Sequence, residues 1–494
     1  MTAPRARAGV LLAALFLALD SPALDVHLQA DRLTVKADGE RLTDVLRRLV
    51  HAGVRVRVDP RAEARVTADF RDEDVQQALD VLLKHFGYVL IWDVVEGPVG
   101  RIPRLSEVQV FLPGRKKNLQ PLDAGTANFA VTSGPLAGGP PFVKDEVLLG
   151  FRAGTQRGEV ERLLAQIGGA VINSVPELGV YLVRLPPESN VPALVDQLRS
   201  NPLVAEAEPN YVVSVAEPTP SEAPVKSSLV PRIAPASGAP ALAILDSGLA
   251  VTPEIEQAVA GRYDAVDPTR ALADPVGHGT QMAMIASGAV TPALGGAGAG
   301  DAASVPLLAI RAFDDRGYAS NFSLMRSMAY ALERGARVVN MSWGSDTSSG
   351  FLEAAVDYAR SKGLIVVASA GNEGQRKAKY PEAYPGVLAV SASGPDNTLW
   401  EGSNYGDYVF AAAPGLASFP VGYRGPPGAY AGTSISSAYV ARALALYLAK
   451  HPGASADQAA LALREALTDA GPAGRDPQFG HGLLDAAALA RLLE

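Results

Sequence analysis

The chain has 494 residues and a net charge of −8, with 48% hydrophobic residues, 19% charged residues and no cysteine. A chain of this length exceeds one typical domain, so we expect several. The lack of cysteine excludes disulfides and thiol catalysis. An acidic chain without a basic cluster also argues against nucleic acid as a partner, because phosphates require concentrated Lys and Arg. The one basic run, residues 115–117, is interpreted as a solvated patch of a linker.

The first 23 residues are typical of a signal peptide. Arg5 and Arg7 precede an apolar run from Gly9 to Leu19, and the short string SPA ending at Ala23 suits a cleavage site. The apolar run is shorter than the roughly 18 residues of a membrane span. The segment therefore predicts export, with the periplasm, the outer membrane and the cell exterior as alternative destinations.

Residues 24–112 are predicted to form a small α/β unit. The strings HLQ and LTV are typical of strands, LTDVLRRLVHAG has apolar residues at helical spacing, and VRVRV alternates as a strand does. The pattern then repeats as strand RVTADF, helix DVQQALDVLLKHFG and strand YVLIW. A linker rich in Gly and Pro is expected at 113–141.

Residues 142–213 predict a second small unit with the order βαββαβ. Its strand signals include VKDEVLLGF, GVYLVRL and AEAEPNYVV, and its helix signals are GEVERLLAQIG and VPALVDQLRS. Six prolines follow within residues 214–240. Prolines at this density keep a chain extended and accessible, so we predict a second linker there.

The third region, residues 241–494, contains three short strings, each with one residue of a type that can take part in catalysis. Asp246 ends the apolar run of LAILDSG, which predicts a buried parallel strand whose carboxyl end would face a ligand. His278, in VGHGT, precedes the helical stretch MAMIASG. Ser434, in YAGTSIS, precedes a strong helical pattern, so its hydroxyl would lie at the positive end of a helix dipole.

These three residue types suit nucleophilic catalysis. A serine hydroxyl needs an adjacent base, and the base needs a group that fixes its tautomer. The chain has only six histidines, and His278 is the one that lies in a suitable position for this base. We therefore interpret Ser434 as the nucleophile, His278 as the general base and then the general acid, and Asp246 as the residue that orients the imidazole.

The strings, their order and their separations of 32 residues (278 minus 246) and 156 residues (434 minus 278) resemble the subtilisin-like serine proteases, or subtilases, of the peptidase S8 family. VVNMSWGS at 338–345 is similar to the family's substrate-binding strand, and VVASAGNEG at 366–374 to its oxyanion turn. The resemblance covers nearly all of residues 241–494. It implies an α/β fold with a doubly wound, mostly parallel sheet, preceded by two small α+β domains. The implied activity is that of a secreted serine endopeptidase.

The resemblance also implies further site residues. The amide of Asn372 would stabilise the oxyanion together with the Ser434 backbone N–H. An apolar side chain is expected at P1, the substrate residue that precedes the cleaved bond, and Trp343 either lines a neighbouring subsite or packs inside. The chemistry would need no cofactor, and a structural calcium ion would have ligands that the sequence does not identify. The residues implied to bind the substrate are Ser342, Trp343, Gly344, Ala370 and Gly371.

The two smaller units resemble known domains as well. Residues 142–213 resemble the inhibitor-I9-like prodomain of subtilases, whose last strand occupies the active cleft until it is cut; a generic ferredoxin-like domain is the alternative. Residues 24–112 resemble the short N-terminal domains of secretins and TonB-dependent receptors, and a generic spacer is the alternative. The implied partners are polypeptide substrates, the chain's own prodomain and an envelope protein. Self-cleavage is expected between Val213 and Gly238.

Some residues depart from the family pattern. Gln281 replaces a common histidine, and Arg442 replaces a small residue in the helix that follows Ser434. Two alternative functions therefore stay open. One is a weak or inactive envelope-associated binding module, and the other is an esterase or peptide ligase that uses the same three residues.

Overall fold

The computed structural model describes residues 25–494 apart from 30–31, 52–53, 98–99, 123–130, 133–138, 222–228, 231–233, 236–237, 269–270 and 296–303. The predicted signal peptide lies outside the described residues. We call residues 25–122 the N-terminal unit, residues 142–215 the middle unit and residues 241–494 the C-terminal unit. Within the described ranges, no helix combines the length and the apolar character that crossing a membrane requires.

The N-terminal unit packs two helices against two small sheets. Strands β1, β2 and β4 form an antiparallel sheet, and β5, β6, β3 and β7 form the other. The apolar residues of helix α1 lie in a shared core because they recur on one face. The elements in chain order are β1 Asp25–Gln29, β2 Arg32–Arg41, α1 Leu42–His51, β3 Arg55–Val58, β4 Arg65–Asp74, α2 Val75–Leu82, β5 Gly87–Gly97, β6 Gly100–Phe111 and β7 Gln120–Pro121.

The structure differs here from the predicted linker at 113–141. Strand β7 pairs antiparallel with β3, so the fold of the N-terminal unit continues to about Leu122. Within the basic run, the Arg115 side chain donates a hydrogen bond of 2.8 Å to the buried Asp59 carboxylate. The interpretation of this run as a wholly solvated patch is therefore corrected, because a buried carboxylate needs a charged partner. Strand β6 was not predicted; it pairs along β5.

The middle unit has the predicted order of strands and helices. Its sheet runs β10-β11-β9-β12 with antiparallel neighbours, and β8 lies beside β9. Apolar residues of α3 and α4 pack on one face of this sheet. The elements are β8 Val131–Thr132, β9 Phe142–Phe151, α3 Arg157–Gln166, β10 Ala170–Val175, β11 Val180–Arg184, α4 Val191–Arg199 and β12 Val204–Val215, followed by the short strand β13 Thr219–Pro220.

The C-terminal unit is built on a parallel sheet of seven strands among the described residues, in the order β15-β16-β14-β18-β20-β21-β22. The elements are β14 Ala241–Asp246, β15 Val259–Asp264, α5 His278–Ser287, β16 Leu307–Arg311, β17 Tyr318–Ser320, α6 Asn321–Glu333, β18 Ala336–Met341, β19 Trp343–Gly344, α7 Gly350–Ser361, β20 Ile365–Ser369, β21 Leu388–Ser393, β22 Val409–Pro414, β23 Leu416–Phe419, β24 Gly428–Ala431, α8 Thr433–Lys450, α9 Ala456–Ala466 and α10 Ala486–Leu493.

Helices cover both faces of this sheet. Leu242 and Ile244 of β14 pack in a core with α5 and α8, whereas Ala243 and Leu245 pack in a second core with α6 and α7. Alternate residues of a strand point to opposite faces, so a strand buried on both sides is apolar throughout. The predicted doubly wound, mostly parallel α/β fold is confirmed.

Candidate active site

The predicted carboxylate and imidazole contact each other. Asp246 is the last residue of β14 and His278 is the first residue of α5. Nδ1 of His278 lies 2.7 Å from Oδ1 of Asp246, and the two residues are 0% and 1% exposed respectively. A Cβ at Gly279 would lie 2.3 Å from the Gly248 carbonyl oxygen, so the start of α5 approaches β14 this closely only with glycine there.

Asp274, which the sequence analysis did not identify, supports the contact between Asp246 and His278. Its carboxylate accepts hydrogen bonds from the backbone N–H groups of Gly277 (2.8 Å) and Thr280 (2.7 Å), in the first turn of α5. It also accepts hydrogen bonds from the hydroxyls of Ser247 (2.8 Å) and Thr280 (2.6 Å). The loop after Asp246 and the helix that begins at His278 are therefore bound to one carboxylate. An acidic residue just before a helix start was the available signal.

Ser434 lies in the first turn of α8, which begins at Thr433. The residue is 0% exposed. Among the described residues, neither Oγ of Ser434 nor Nε2 of His278 has a hydrogen-bond partner. The structure thus brings aspartate and histidine into contact but forms no hydrogen bond between histidine and serine in this state. Hydrogen bonds between catalytic side chains are often long or poorly aligned until the reactive complex with the substrate forms.

Asn372 lies beside the start of α8, where Thr433 fixes its orientation. Its Oδ1 accepts hydrogen bonds from the Thr433 backbone N–H (3.0 Å) and hydroxyl (2.8 Å). These two bonds identify the amide nitrogen as the group that faces away from α8. That Nδ2 donates a hydrogen bond of 3.0 Å to the carbonyl oxygen of Glu217.

Glu217 belongs to a segment that runs through the site, and we call residues 212–221 the threaded segment. Its first part, the end of β12, pairs antiparallel with β17 on one edge and with β19 on the other. Its last part contains β13, which pairs antiparallel with β24 just before the Ser434 helix. The start of the predicted linker 214–240 is therefore extended, and in addition it pairs with strands of the C-terminal unit, which the sequence analysis did not predict.

A tyrosine that bonds to the threaded segment lies against the imidazole. The Tyr423 ring lies edge-on to the His278 ring at 6.1 Å between centroids. Its hydroxyl donates a hydrogen bond of 3.4 Å to Oε1 of Glu217. Burial raises the pKa of Tyr423 to about 12, so the phenol stays protonated and remains a donor.

A cavity of about 250 Å³ lies beside the threaded segment, and we call it the side pocket. Gly344 and Gly371, both predicted to bind the substrate, line it. The other three predicted residues do not contribute side chains: Trp343 is 0% exposed in the core, and Ser342 Oγ is hydrogen-bonded to Asn340 and Ser437. Ala370 is likewise fully buried. Trp343 contributes through its backbone, which pairs with Val215.

Besides Glu217 of the threaded segment, three charged residues line the side pocket, namely Glu373, Lys379 and Glu382. Glu382 is 2% exposed, and this burial raises its pKa to about 8. The sequence analysis assigned no role to Lys379 or Glu382. Their spacing alone gives no signal of a pocket, because the loop between β20 and β21 decides which side chains meet.

Comparison with known proteins decides the family. The sequence profile of the Subtilase family, Peptidase S8, matches residues 237–482. The chain is 33% identical over 323 residues to the "Thermophilic serine proteinase" of Bacillus sp. (strain AK1), covering 62% of this chain and 78% of that protein. The chain belongs to the subtilase family. This subtilase is a serine endopeptidase, as predicted, and the family needs no cofactor for catalysis.

Further likenesses agree with this family. The profile of the fervidolysin N-terminal prodomain matches residues 133–210 of this subtilase, so a prodomain precedes its protease domain. The "Minor extracellular protease Epr" of Bacillus subtilis (strain 168) is 34% identical over 251 residues, which are 50% of this chain and 38% of that protein. The crystal structure of fervidolysin from Fervidobacterium pennivorans, a keratinolytic enzyme related to subtilisin, superimposes with a TM-score of 0.57. At 22% identity, it covers 73% of this chain and 63% of that chain, which shows a shared fold.

Proposed function

We propose that Ser434, His278 and Asp246 are the catalytic triad of this endopeptidase and that Asn372 stabilises the oxyanion. The hydrogen bond from Asn372 Nδ2 to the Glu217 carbonyl oxygen supports this most directly. It means that a peptide carbonyl lies against the amide next to the helix of Ser434. The contact of 2.7 Å between His278 and Asp246 supports the pairing of base and orienting residue.

In the proposed reaction, Oγ of Ser434 attacks the substrate carbonyl carbon while Nε2 of His278 accepts the hydroxyl proton. His278 then gives this proton to the leaving amine, which leaves an acyl group on Ser434. Water repeats the attack with His278 as the base and releases the acid. The Asp246 carboxylate accepts a hydrogen bond from the Nδ1–H of His278, and this tautomer keeps Nε2 available to take the proton. The oxyanion accepts hydrogen bonds from Asn372 Nδ2 and the Ser434 N–H.

We propose that this enzyme is made as a zymogen and cuts itself between Val213 and Gly238. The threaded segment supports this, since it pairs with strands of the C-terminal unit on both sides of the Glu217 carbonyl. The peptide bond presented to Ser434 would be the one between Glu217 and Pro218. Until it is cut, the segment excludes other substrates.

One experiment tests the triad and the self-cleavage together. Wild type and Ser434→Ala are expressed and examined by intact mass and by labelling with a serine-directed fluorophosphonate. We expect wild type to lose its N-terminal part and to be labelled, and Ser434→Ala to stay full length and unlabelled. Equal cutting of both proteins would contradict the assignment. Digestion of casein, compared with hydrolysis of a small ester, separates a protease from an esterase.

Four finer assignments accompany this proposal. The first 23 residues direct export, which the word "extracellular" in one relative's name supports. The middle unit acts as an intramolecular inhibitor of the inhibitor-I9 type, which its βαββαβ order supports. Residues 24–112 dock to an envelope protein, as secretin and TonB-type domains do. A structural calcium ion has no assigned ligands, and the described residues contain no group of three His, Asp or Glu that would bind a metal.

A further inference from the structure

The side pocket opens directly against the threaded segment. Residues 214–217 of this segment line it together with Gly344 and Gly371. A Cβ added to Gly344 would lie 3.5 Å from Cδ of Lys379 and 3.9 Å from Oε1 of Glu382. The Lys379 stem and the Glu382 carboxyl therefore face the same space that the glycine leaves open.

Glu382 is the group in this pocket that needs a partner. Its Oε1 accepts a hydrogen bond of 3.0 Å from the Lys379 backbone N–H. Its Oε2 is buried and has no hydrogen-bond partner among the residues that the structure describes. Buried carboxyl oxygens are nearly always hydrogen-bonded, because burying one without a partner costs free energy. An oxygen left in this way beside a substrate cleft indicates that a ligand supplies the partner.

The ammonium of Lys379 is already neutralised. Its Nζ forms an ion pair with Oε1 of Glu373. Glu373 is itself anchored, because its Oε2 accepts a hydrogen bond of 2.6 Å from Nδ2 of Asn404. The pair leaves the aliphatic stem of Lys379 as a wall of the pocket. The carboxyl of Glu382 is then the one charge of the three without an opposite charge.

The threaded segment borders the side pocket, but its Glu217 carboxylate bonds to a residue outside the charged group of the pocket. Oε1 of Glu217 accepts its hydrogen bond from Tyr423, next to His278, and not from Lys379. Ala216 has only a methyl group to offer. A longer side chain in a cut substrate therefore has room that the resting occupant does not fill.

We propose that Glu382 determines specificity by binding the cation of a Lys or Arg side chain at P1 of the substrate. The inference rests on the proposed function, since it assumes that substrates follow the path of the threaded segment. When Lys379, Glu373 and Glu382 are all ionised, they sum to one negative charge, and a P1 cation brings the pocket to neutrality. An acidic P1 side chain directed at Glu382 would add a second uncompensated negative charge, whereas the Glu217 carboxylate of the threaded segment accepts its hydrogen bond from Tyr423 instead. An apolar P1 side chain would leave Oε2 of Glu382 without a partner.

The pH dependence of this selectivity has a defined sign. Burial holds the pKa of Glu382 at about 8, so the carboxyl is mostly protonated at pH 6 and mostly ionised at pH 9. The charged groups that face it are Lys379, which lowers its pKa, and Glu373, which raises it. Tyr408 also faces it, and its own pKa is raised by burial and by both carboxylates. The preference for a basic P1 residue should therefore grow as the pH rises.

The test compares processed wild type, Glu382→Gln and the control Glu401→Gln, in which the replaced side chain is exposed. Peptides that differ only in Lys, Arg, Gln, Phe or Glu at P1 are assayed at pH 6, 7.5 and 9. We expect kcat/KM for Lys and Arg to exceed that for Phe by at least about tenfold at pH 9. In Glu382→Gln the ratio of kcat/KM for the basic peptides to that for the Phe peptide should fall by that factor, while Glu401→Gln should keep the wild-type ratio.

A second measurement keeps the inference falsifiable if cleavage rates are complicated by folding. Benzamidine, a small aromatic cation, should inhibit cleavage of the Phe peptide competitively, and its Ki should be about tenfold higher for Glu382→Gln than for wild type. A wild-type preference for Phe or Glu at P1, or an equal loss on all peptides in Glu382→Gln, overturns this inference and leaves the proposed function standing. Absence of both cleavage and fluorophosphonate labelling would instead overturn the proposed function.

Discussion

Asp274 lies four residues before His278 and accepts hydrogen bonds from the first turn of α5. We expect Asp274→Asn to lower kcat more than it changes KM, because an NH2 group replaces one of the two acceptor oxygens, meets N–H and O–H donors there, and shifts the helix that bears the imidazole. The lost helix cap should lower the free energy of unfolding by about 1–2 kcal/mol. Asp407→Asn, whose carboxylate is 78% exposed, is the matched control. An unchanged kcat in Asp274→Asn would show that this carboxylate does not position His278.

Pro218 follows the carbonyl that contacts Asn372, and it lies against the start of α8. A Cβ at Gly432 would be only 3.7 Å from Cα and Cβ of Pro218. The prolyl ring has no N–H and crowds the nitrogen that must leave, so we expect slow self-cleavage at this bond. Pro218→Ala should therefore shorten the time course of self-cleavage, as followed by intact mass, with Pro220→Ala as the control. Faster self-cleavage in Pro220→Ala, with an unaltered rate in Pro218→Ala, would contradict the expectation that Pro218 slows this step.

Burial of Glu382 makes stability depend on pH. Its pKa is about 8 in the folded protein and near the ordinary value of 4.5 when unfolded. Between these values the folded state retains a proton that the unfolded state releases, so stability falls as the pH rises, by about 1.4 kcal/mol per unit for this group. In a Ser434→Ala background, Glu382→Gln should gain stability over its parent progressively from pH 5 to 8, measured by chemical denaturation. If the difference in the free energy of unfolding between the two proteins stayed constant from pH 5 to 8, the raised pKa of Glu382 would be refuted.

At the scale of elements, Glu208 of β12 binds the N-terminus of α7. Its carboxylate accepts hydrogen bonds from the Ser349 hydroxyl (2.5 Å) and the Gly350 N–H (2.7 Å). The positive end of the helix dipole favours a carboxylate there, and charge-assisted hydrogen bonds are the stronger ones.

We therefore expect Glu208→Gln to weaken the docking of the middle unit by about 1.5–3 kcal/mol, or roughly 10- to 150-fold. After self-cleavage, the lag before the enzyme digests casein should shorten accordingly. Glu188→Gln, an exposed position in the same unit, is the control. An equal lag in both variants would show that Glu208 contributes nothing to the latent state.

The sequence predicted some elements well because their signals are local. The apolar run that ends at Asp246 and the helical patterns after His278 and Ser434 each describe a single element, and the structure has all three. The pairing of the threaded segment could not be predicted from local signals. Strand β12 pairs with β17 and β19, which lie much later in the sequence, and a periodic pattern indicates a strand without indicating its partner. The side pocket was missed for the same reason, because the burial of Glu382 depends on how a loop folds over it.

At the scale of the whole molecule, Arg334 is one of several residues that join the N-terminal unit to the C-terminal unit; the ion pair of Arg57 with Glu333 is another. The Arg334 guanidinium donates hydrogen bonds to the backbone carbonyls of Lys117 (3.2 Å) and Leu119 (2.5 Å). Arg334→Ala should therefore speed hydrogen exchange at residues 116–121 by about tenfold, which corresponds to about 1.4 kcal/mol of local stability. Arg360→Ala, on the surface of α7, is the control. Unaltered exchange in Arg334→Ala would mean that other contacts join these units.

The threaded segment is joined to the rest of the chain at both of its ends, and this connection governs how the latent enzyme responds to dilution. A free peptide inhibitor leaves its enzyme when the concentration falls below its Kd, but an occupant tethered at both ends has an effective concentration set by the tether. Latency in the uncut protein should thus be independent of how much protein is present. After one bond is cut, the same contacts obey mass action, and dilution alone then favours the active form.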